Sequence, residues 1–104
     1  MKKQLVLTVA TLLTLSLAAV PSFAASGEEL FKQNCAVCHP DGGNIIKPSR
    51  TLHKKDLAKE GIKDWKGVVK FMRNPGEGMT KFDAKMISDK DAKAIAEYVL
   101  KTFK

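Results

Sequence analysis

Two cysteines and a histidine stand close together in the segment FKQNCAVCHP, as Cys35, Cys38 and His39. Three kinds of chemistry use a C-x-x-C pair: thiol–disulfide exchange, zinc binding and the covalent attachment of haem. A histidine directly after the second cysteine is the mark of haem attachment, in which both thiols form thioethers and the imidazole reaches the iron from the same turn. The spacing therefore favours haem.

The other two uses of the cysteine pair remain as alternatives. A structural zinc ion needs four ligands, and the only further histidine in the chain is His53. A thioredoxin-type pair requires surrounding strands, and the sequence contains no convincing strand pattern. A simple disulfide is compatible with an exported protein.

The beginning of the chain predicts export. Two lysines are followed by an apolar run from Leu5 to Val20 and by the small-x-small site Ser22, Phe23 and Ala24. This is the pattern of a secretory signal peptide, so we expect residues 1–24 to be removed and residues 25–104 to form one exported domain. That domain would have no membrane span, and its location would be the periplasm or, in a photosynthetic host, the thylakoid lumen.

Size and charge narrow the class of protein further. A domain of about 80 residues forms only a small apolar core, so a bound haem would supply part of it. Removal of Lys2 and Lys3 lowers the formal charge from +7 to +5. The lysines are scattered, which indicates first a solvated surface and second a docking face for an acidic partner. Nucleic acid is a poor partner for an exported chain, and we expect a monomer.

Helix signals flank the cysteine motif. Ser26 and Glu29 form a capping box that predicts a short helix running into Cys35. The glycines and prolines of residues 40–51 predict a loop, and a weak helix is expected over residues 56–60, ending at Gly61.

Two further helices are predicted towards the C-terminus. Asp64 can cap a helix that ends before Pro75, and a glycine-rich loop, NPGEGMTKF, follows it. Ser88 and Asp91 form a second capping box, which starts the last helix. The sequence thus predicts an all-α fold of about four helices and loops wrapped around one haem.

The function depends on the second axial ligand of the iron. If a protein side chain fills that position, the iron can only transfer electrons, whereas an open position allows gases or peroxide to bind. Met72 continues the apolar stripe of its helix, Met86 precedes the last helix, and His53 lies among lysines. Met79 lies in a glycine-rich loop where no helical stripe explains an apolar side chain, so the sequence favours Met79.

Three stretches, ELFKQNCAVCHPDGGNIIKPSRTL, NPGEGMTKF and DAKAIAEYVL, carry a family resemblance. Together they resemble the class I c-type cytochromes, and most of all the small monohaem c-six or c-553 type. The resemblance implies thioethers at Cys35 and Cys38, a proximal ligand at His39 and a distal ligand at Met79. It also implies a soluble one-electron carrier between redox proteins, not an enzyme, with low-spin iron.

The same resemblance implies supporting roles for five other residues. Gly27 and Phe31 would cross the last helix near Tyr98, because a small residue lets two backbones approach. A loop carbonyl would fix the other ring nitrogen of the proximal histidine, and Pro48 is our candidate, with loop stiffening as the alternative. Asn44 would bind near a haem propionate or would shape the turn.

The chain departs from the family pattern at the distal ligand. The family usually has Met-Pro-Ala-Phe, and here Met79 is followed by Thr80, Lys81 and Phe82. Without the proline the ligand loop is less rigid, which favours a second hypothesis: a haem sensor or peroxidase-like protein with a displaceable methionine. For the electron carrier, lysines near the haem edge would steer an acidic partner, and the candidates are Lys47, Lys54, Lys55, Lys81 and Lys85.

Overall fold

The computed structural model describes residues 25–104 as four α-helices joined by loops. They are α1 (Gly27–Asn34), α2 (Lys54–Lys59), α3 (Trp65–Arg73) and α4 (Asp89–Thr102). No strand occurs within this described range, so the predicted all-α class is confirmed. The predicted signal peptide, residues 1–24, lies outside the described residues. Among residues 25–104 no helix is long and apolar enough to cross a membrane.

Three of the helices begin at the caps that the sequence predicts. At the starts of α1, α3 and α4 a side-chain oxygen accepts the amide N–H three residues on, at 3.2, 2.8 and 3.1 Å. The cap residues are Ser26, Asp64 and Ser88. Each bond satisfies one of the amides that a helix start leaves without a partner, so these boundaries follow from local chemistry.

The region between α1 and α3 differs from the prediction in two places. Helix α2 begins at Lys54 and not at Asp56. The Asp56 carboxylate accepts hydrogen bonds from the hydroxyl and amide of Thr51 at 2.6 and 3.3 Å, so it ties the first turn to the preceding loop and does not cap the helix. The predicted loop at 40–51 also contains one 3-10 turn, Pro40–Gly42.

The core forms where α4 packs against both α1 and α3. At the α1–α4 crossing, a Cβ on Gly27 would collide with the Ala94 carbonyl and lie 3.0 Å from Tyr98 Cβ. The ring centroids of Phe31 and Tyr98 are 5.4 Å apart in a tilted arrangement. The predicted helix crossing is therefore confirmed, and it holds the segment that leads into the cysteine motif.

Candidate haem site

The cysteine motif is a turn that continues directly from α1. Cys35 ends the helix, and its amide donates to Phe31 O at 2.8 Å. The amides of Cys38 and His39 then both donate to Cys35 O, at 3.2 and 2.9 Å. These bonds bring the two thiols and the imidazole onto one compact turn, which is the arrangement that haem attachment requires.

The thiols are not arranged for redox exchange. Both cysteines are half-buried and are not joined by a disulfide. Burial raises the pKa of the Cys35 thiol to about 11. Because thiol–disulfide exchange depends on a thiolate, and reactive C-x-x-C pairs have a lowered cysteine pKa, this environment argues against a redox pair.

The imidazole of His39 is buried, with 8% of the residue exposed, and is held by a single polar contact. Its Nδ1 lies 2.7 Å from the carbonyl oxygen of Gly43. A carbonyl oxygen only accepts, so Nδ1 carries the proton and Nε2 keeps the lone pair that binds a metal. The contact fixes both the tautomer and the ring orientation, as outer partners of metal-binding histidines do.

The acceptor for His39 corrects the prediction of Pro48. After His39 the chain turns sharply, because Asp41 and Gly42 have φ of +53° and +76°. This turn brings the carbonyl of Gly43 back onto the ring, whereas Pro48 lies in the exposed part of the loop. The sequence contained a signal for this turn in Gly42 and Gly43, but the prediction placed the carbonyl five residues too late.

Asn44 has the turn-shaping role in this structure. Its Oδ1 accepts from the amides of Ile46 and Lys47 at 3.0 and 2.8 Å, and its Nδ2 donates to Arg50 O at 2.9 Å. One side chain therefore closes the loop from residue 44 to residue 50. Asn44 also lines the cleft described next.

A single cleft gathers the predicted ligand residues. The cleft is open to solvent, and about 180 Å³ of it is accessible to water. Cys35, Cys38, His39 and Met79 all line it. The apolar part of its wall includes Leu52, Leu57, Ile62, Val68, Phe71, Met72, Phe82, Ile95 and Val99.

The four candidates for the second axial ligand differ in whether they line the cleft and in how exposed they are. Met79 is half-buried and lines the cleft. Met72 also lines it, but only 4% of this residue is exposed and it packs within the core, as its place in the helical stripe predicts. Met86 is 58% exposed, and neither it nor His53 lines the cleft. The ring of His53 lies against Phe103.

Arg73, which the sequence reasoning missed, holds the segment after Met79. Its Nη1 donates to the carbonyls of Phe82 and Ile87 at 3.1 and 2.8 Å, and its Nη2 donates to Asp89 Oδ1 at 2.8 Å. These partners lie 9 to 16 residues further along the chain. No local spacing pattern signals such contacts.

The mouth of the cleft carries exposed apolar residues and charges of both signs, because Glu77 lines it as well as Lys47. Val37 and Ile46 line the cleft and are 77% and 53% exposed. All five predicted docking lysines are exposed, but only Lys47 lines the cleft. The other four are Lys54, Lys55, Lys81 and Lys85.

The residues of the cleft fit a covalently attached haem. Two thiols lie at the spacing of a C-x-x-C-H turn, and the imidazole offers Nε2 because Gly43 occupies Nδ1. A thioether stands in the same cleft on Met79, and the walls are mostly apolar. Cysteine thiols for attachment, an imidazole and a thioether for the iron, and an apolar lining are the features that proteins use to bind c-type haem.

Comparison with known proteins identifies the family. The family model described as cytochrome c oxidase, cbb3-type, subunit III matches residues 22–99. Cytochrome c6 of Bumilleriopsis filiformis is 36% identical over 75 residues, which cover 72% of this chain and 86% of that protein. Cytochrome c6 of Thermosynechococcus vestitus is 31% identical over 104 residues, with 96% and 92% covered.

A solved structure agrees with these sequence matches. Outer membrane cytochrome F (OmcF) from Geobacter sulfurreducens superposes with a TM-score of 0.75 and 43% identity, covering 76% of this chain and all of that one. The chain therefore belongs to the class I c-type cytochromes, and within them to the small monohaem cytochrome c6 type. It carries one covalently bound haem c, with its iron, and it is a small electron-carrier cytochrome.

Proposed function

We propose that this protein is an exported one-electron carrier in which Cys35 and Cys38 hold the haem while His39 and Met79 are the axial ligands. The observation that carries the proposal is that the cysteine turn and Met79, which follows His39 by forty positions, line one mostly apolar cleft. The bound haem supplies an iron that alternates between the ferrous and ferric states. All binding, orientation and exclusion of water come from the chain.

Of the two proposed axial ligands, His39 is the one whose ring is preorganised by a hydrogen bond. The Gly43 carbonyl holds its Nδ1 at 2.7 Å, so the ring enters the cleft with Nε2 available and with little freedom to rotate. The same hydrogen bond increases the basicity of the imidazole, which strengthens its bond to the metal.

Met79 sets the electronic character of the site. A thioether is a soft, neutral ligand that favours the reduced metal, so the methionine raises the reduction potential relative to a second histidine. The apolar wall, which includes Phe71 and Val68, acts in the same direction because a low-dielectric environment disfavours the additional positive charge of the ferric state. With side chains on both axial positions no site is left for a substrate, so we propose that the protein is not an enzyme.

Absorption spectra of the exported protein test the axial assignment. Met79→Ala should remove the weak ferric charge-transfer band that a sulfur ligand produces, and should lower the reduction potential. Met86→Ala is the matched control, because Met86 is exposed and does not line the cleft, so this variant should keep both properties. If Met79→Ala retains the parent's ferric and ferrous spectra, the assignment of Met79 is wrong.

The same preparation tests the proposed export. The chain purified from the periplasmic fraction should have the mass of Ala25–Lys104 plus one haem, and it should elute as a monomer. A mass that includes residues 1–24 would contradict cleavage after Ala24.

The mouth of the cleft supports docking of a redox partner. Exposed Val37 and Ile46 provide an apolar contact, and Lys47 places positive charge beside them. Apolar contact with a charged rim is typical of short-lived protein complexes. We therefore place the docking face at the mouth of the cleft, and not around the more distant lysines.

One observation favours the second candidate, a sensor with a displaceable methionine. The loop over residues 75–81 contains a turn at Glu77 and Gly78, but no hydrogen bond joins it to another part of the described chain. Carbon monoxide distinguishes the two functions. Ferrous protein that binds it readily at neutral pH would support the sensor, whereas ferrous protein that does not react would support the carrier.

A further inference from the structure

We propose that Arg73 is the positioning residue that keeps Met79 on the iron, by anchoring the C-terminal end of the ligand loop to α3. The inference rests on the proposed role of Met79 as the axial ligand. It assigns to one side chain the rigidity that Thr80, in the place of the family's proline, does not provide.

The ligand loop depends on its two ends for order. Residues 75–81 form no hydrogen bond with any other part of the described chain. Gly78 has a φ of +90°, a conformation that glycine adopts without strain. At the N-terminal end the amide of Asn74 donates to the carbonyls of Lys70 and Phe71, which closes α3. The position of Met79 therefore depends on its packing in the cleft and on how firmly the next anchor is held.

That anchor is Phe82, three residues after Met79. Its amide donates to Met72 O at 3.0 Å, and its carbonyl accepts from Arg73 Nη1 at 3.1 Å. Its ring is half-buried and lines the cleft. Three residues of extended chain span roughly 10 Å at most. A fixed Phe82 therefore limits how far the sulfur of Met79 can move away.

Arg73 is suited to this task because one guanidinium holds several groups at once. The Nη1 that binds Phe82 O also donates to Ile87 O at 2.8 Å, and Ile87 is a core residue with 3% exposure. The side chain of Arg73 is only 22% exposed, whereas that of its ion-pair partner Asp89 is 90% exposed. Hydrogen bonds from a partly buried charge are stronger than an exposed ion pair, so the two carbonyl contacts carry the restraint.

Loss of this restraint has a measurable consequence. If the end of the loop is freed, the state in which Met79 has left the iron becomes more populated. A small external ligand binds only that state, so its apparent affinity rises by the factor by which the open population increases. Imidazole is a suitable probe for the ferric protein, and the titration measures binding directly, independently of electron-transfer activity.

The principal variant is Arg73→Gln in the haem-loaded protein. We expect its apparent affinity for imidazole to rise about tenfold, which corresponds to about 1.4 kcal/mol. The ferrous protein should also show a broadened or shifted proton resonance for the Met79 methyl group. Arg73→Lys keeps the charge without the planar fork, so its apparent affinity for imidazole should lie between those of the parent and of Arg73→Gln. It also provides the measurement if the glutamine variant does not fold. An affinity equal to the parent's in both variants would overturn the proposal.

Two controls separate positioning from general stability. Asp89→Asn removes the exposed ion pair and leaves both carbonyl contacts, so its affinity should remain within about twofold of the parent's. Leu30→Val weakens the core on α1, away from the cleft, and should lower the free energy of unfolding without changing the affinity. If Asp89→Asn raises the affinity as much as Arg73→Gln does, the ion pair and not the carbonyl clamp is responsible, and the proposal fails.

The double variant with Met79→Ala tests whether Arg73 acts through Met79. In that background the distal position is already open, so Arg73→Gln should no longer change the imidazole affinity. An undiminished effect would overturn the positioning role while leaving the axial assignment intact. The reverse failure is distinct, because an unchanged spectrum of Met79→Ala alone would remove the assignment itself.

Discussion

Replacement of Gly27 by alanine tests the helix crossing that supports the cysteine motif. The added Cβ would collide with the Ala94 carbonyl, lie 2.8 Å from its carbon and lie 3.0 Å from Tyr98 Cβ. Two of these contacts are with backbone, which cannot move aside as the end of a flexible side chain can. Helix α1 must therefore shift away from α4.

The expected magnitude is the difference of two effects. Overpacking of a tight contact destabilises a protein by about 1 to 3 kcal/mol. Alanine in place of glycine recovers less than about 1 kcal/mol of helix propensity, because Gly27 is the first helical residue. The free energy of unfolding should fall by about 1 to 2 kcal/mol, which lowers the melting temperature of a domain this small by roughly 4 to 16 °C.

Gly67→Ala is the matched control for this substitution. Gly67 lies inside α3, and the nearest atom to its added Cβ, on the side chain of Ile62, is at 3.4 Å, an ordinary contact. This variant should be more stable than the parent by up to about 1 kcal/mol. Urea unfolding followed by circular dichroism measures both. A Gly27→Ala protein as stable as Gly67→Ala would refute the reasoning from close packing.

Two other predictions concern charge. Thr51 holds the pKa of Asp56 below its ordinary value of 3.8 through hydrogen bonds to the ionised carboxylate. The stabilisation is therefore present above that pH and is lost as the pH falls through the lower, folded value. Thr51→Val should be less stable than the parent at neutral pH, and urea unfolding over a range of pH should show this difference narrowing as the pH is lowered below 3.8. Lys47→Gln should slow oxidation of the ferrous protein by ferricyanide roughly tenfold at low salt, since a unit positive charge at roughly 8 Å from this trianion in water contributes about 1.6 kcal/mol. Lys101→Gln, on α4 and away from the cleft, should not slow the reaction, and an equal effect of both variants would contradict a local role for Lys47.

The parts of the fold that the sequence predicted correctly are those governed by local chemistry. Capping residues placed the starts of α1, α3 and α4, because a cap and its partner are three residues apart. The C-x-x-C-H turn is equally local. Met79 was singled out because a glycine-rich loop offers no packing reason for an apolar side chain; it does line the cleft, and its role as a ligand stays a prediction.

The parts that the sequence left out depend on contacts between distant segments. Arg73 binds carbonyls at residues 82 and 87, and any residue type can provide a carbonyl, so the partners have no sequence signature. The prediction of Pro48 failed for the same reason, because the direction of a carbonyl depends on the φ angles of Asp41 and Gly42. The start of α2 also differs from the prediction: the helix begins at Lys54, and the Asp56 carboxylate accepts a hydrogen bond from Thr51.

Residues 75–81 form no hydrogen bond with the rest of residues 25–104, and this affects how such a protein can evolve. Substitutions in this loop at positions other than Met79 remove no hydrogen bond on which the helices depend, so they change the environment of the iron with little effect on folding. Selection can therefore adjust the reduction potential to a new electron donor or acceptor by altering a few loop residues. The helices, the cysteine turn and the anchor at Phe82 need not change.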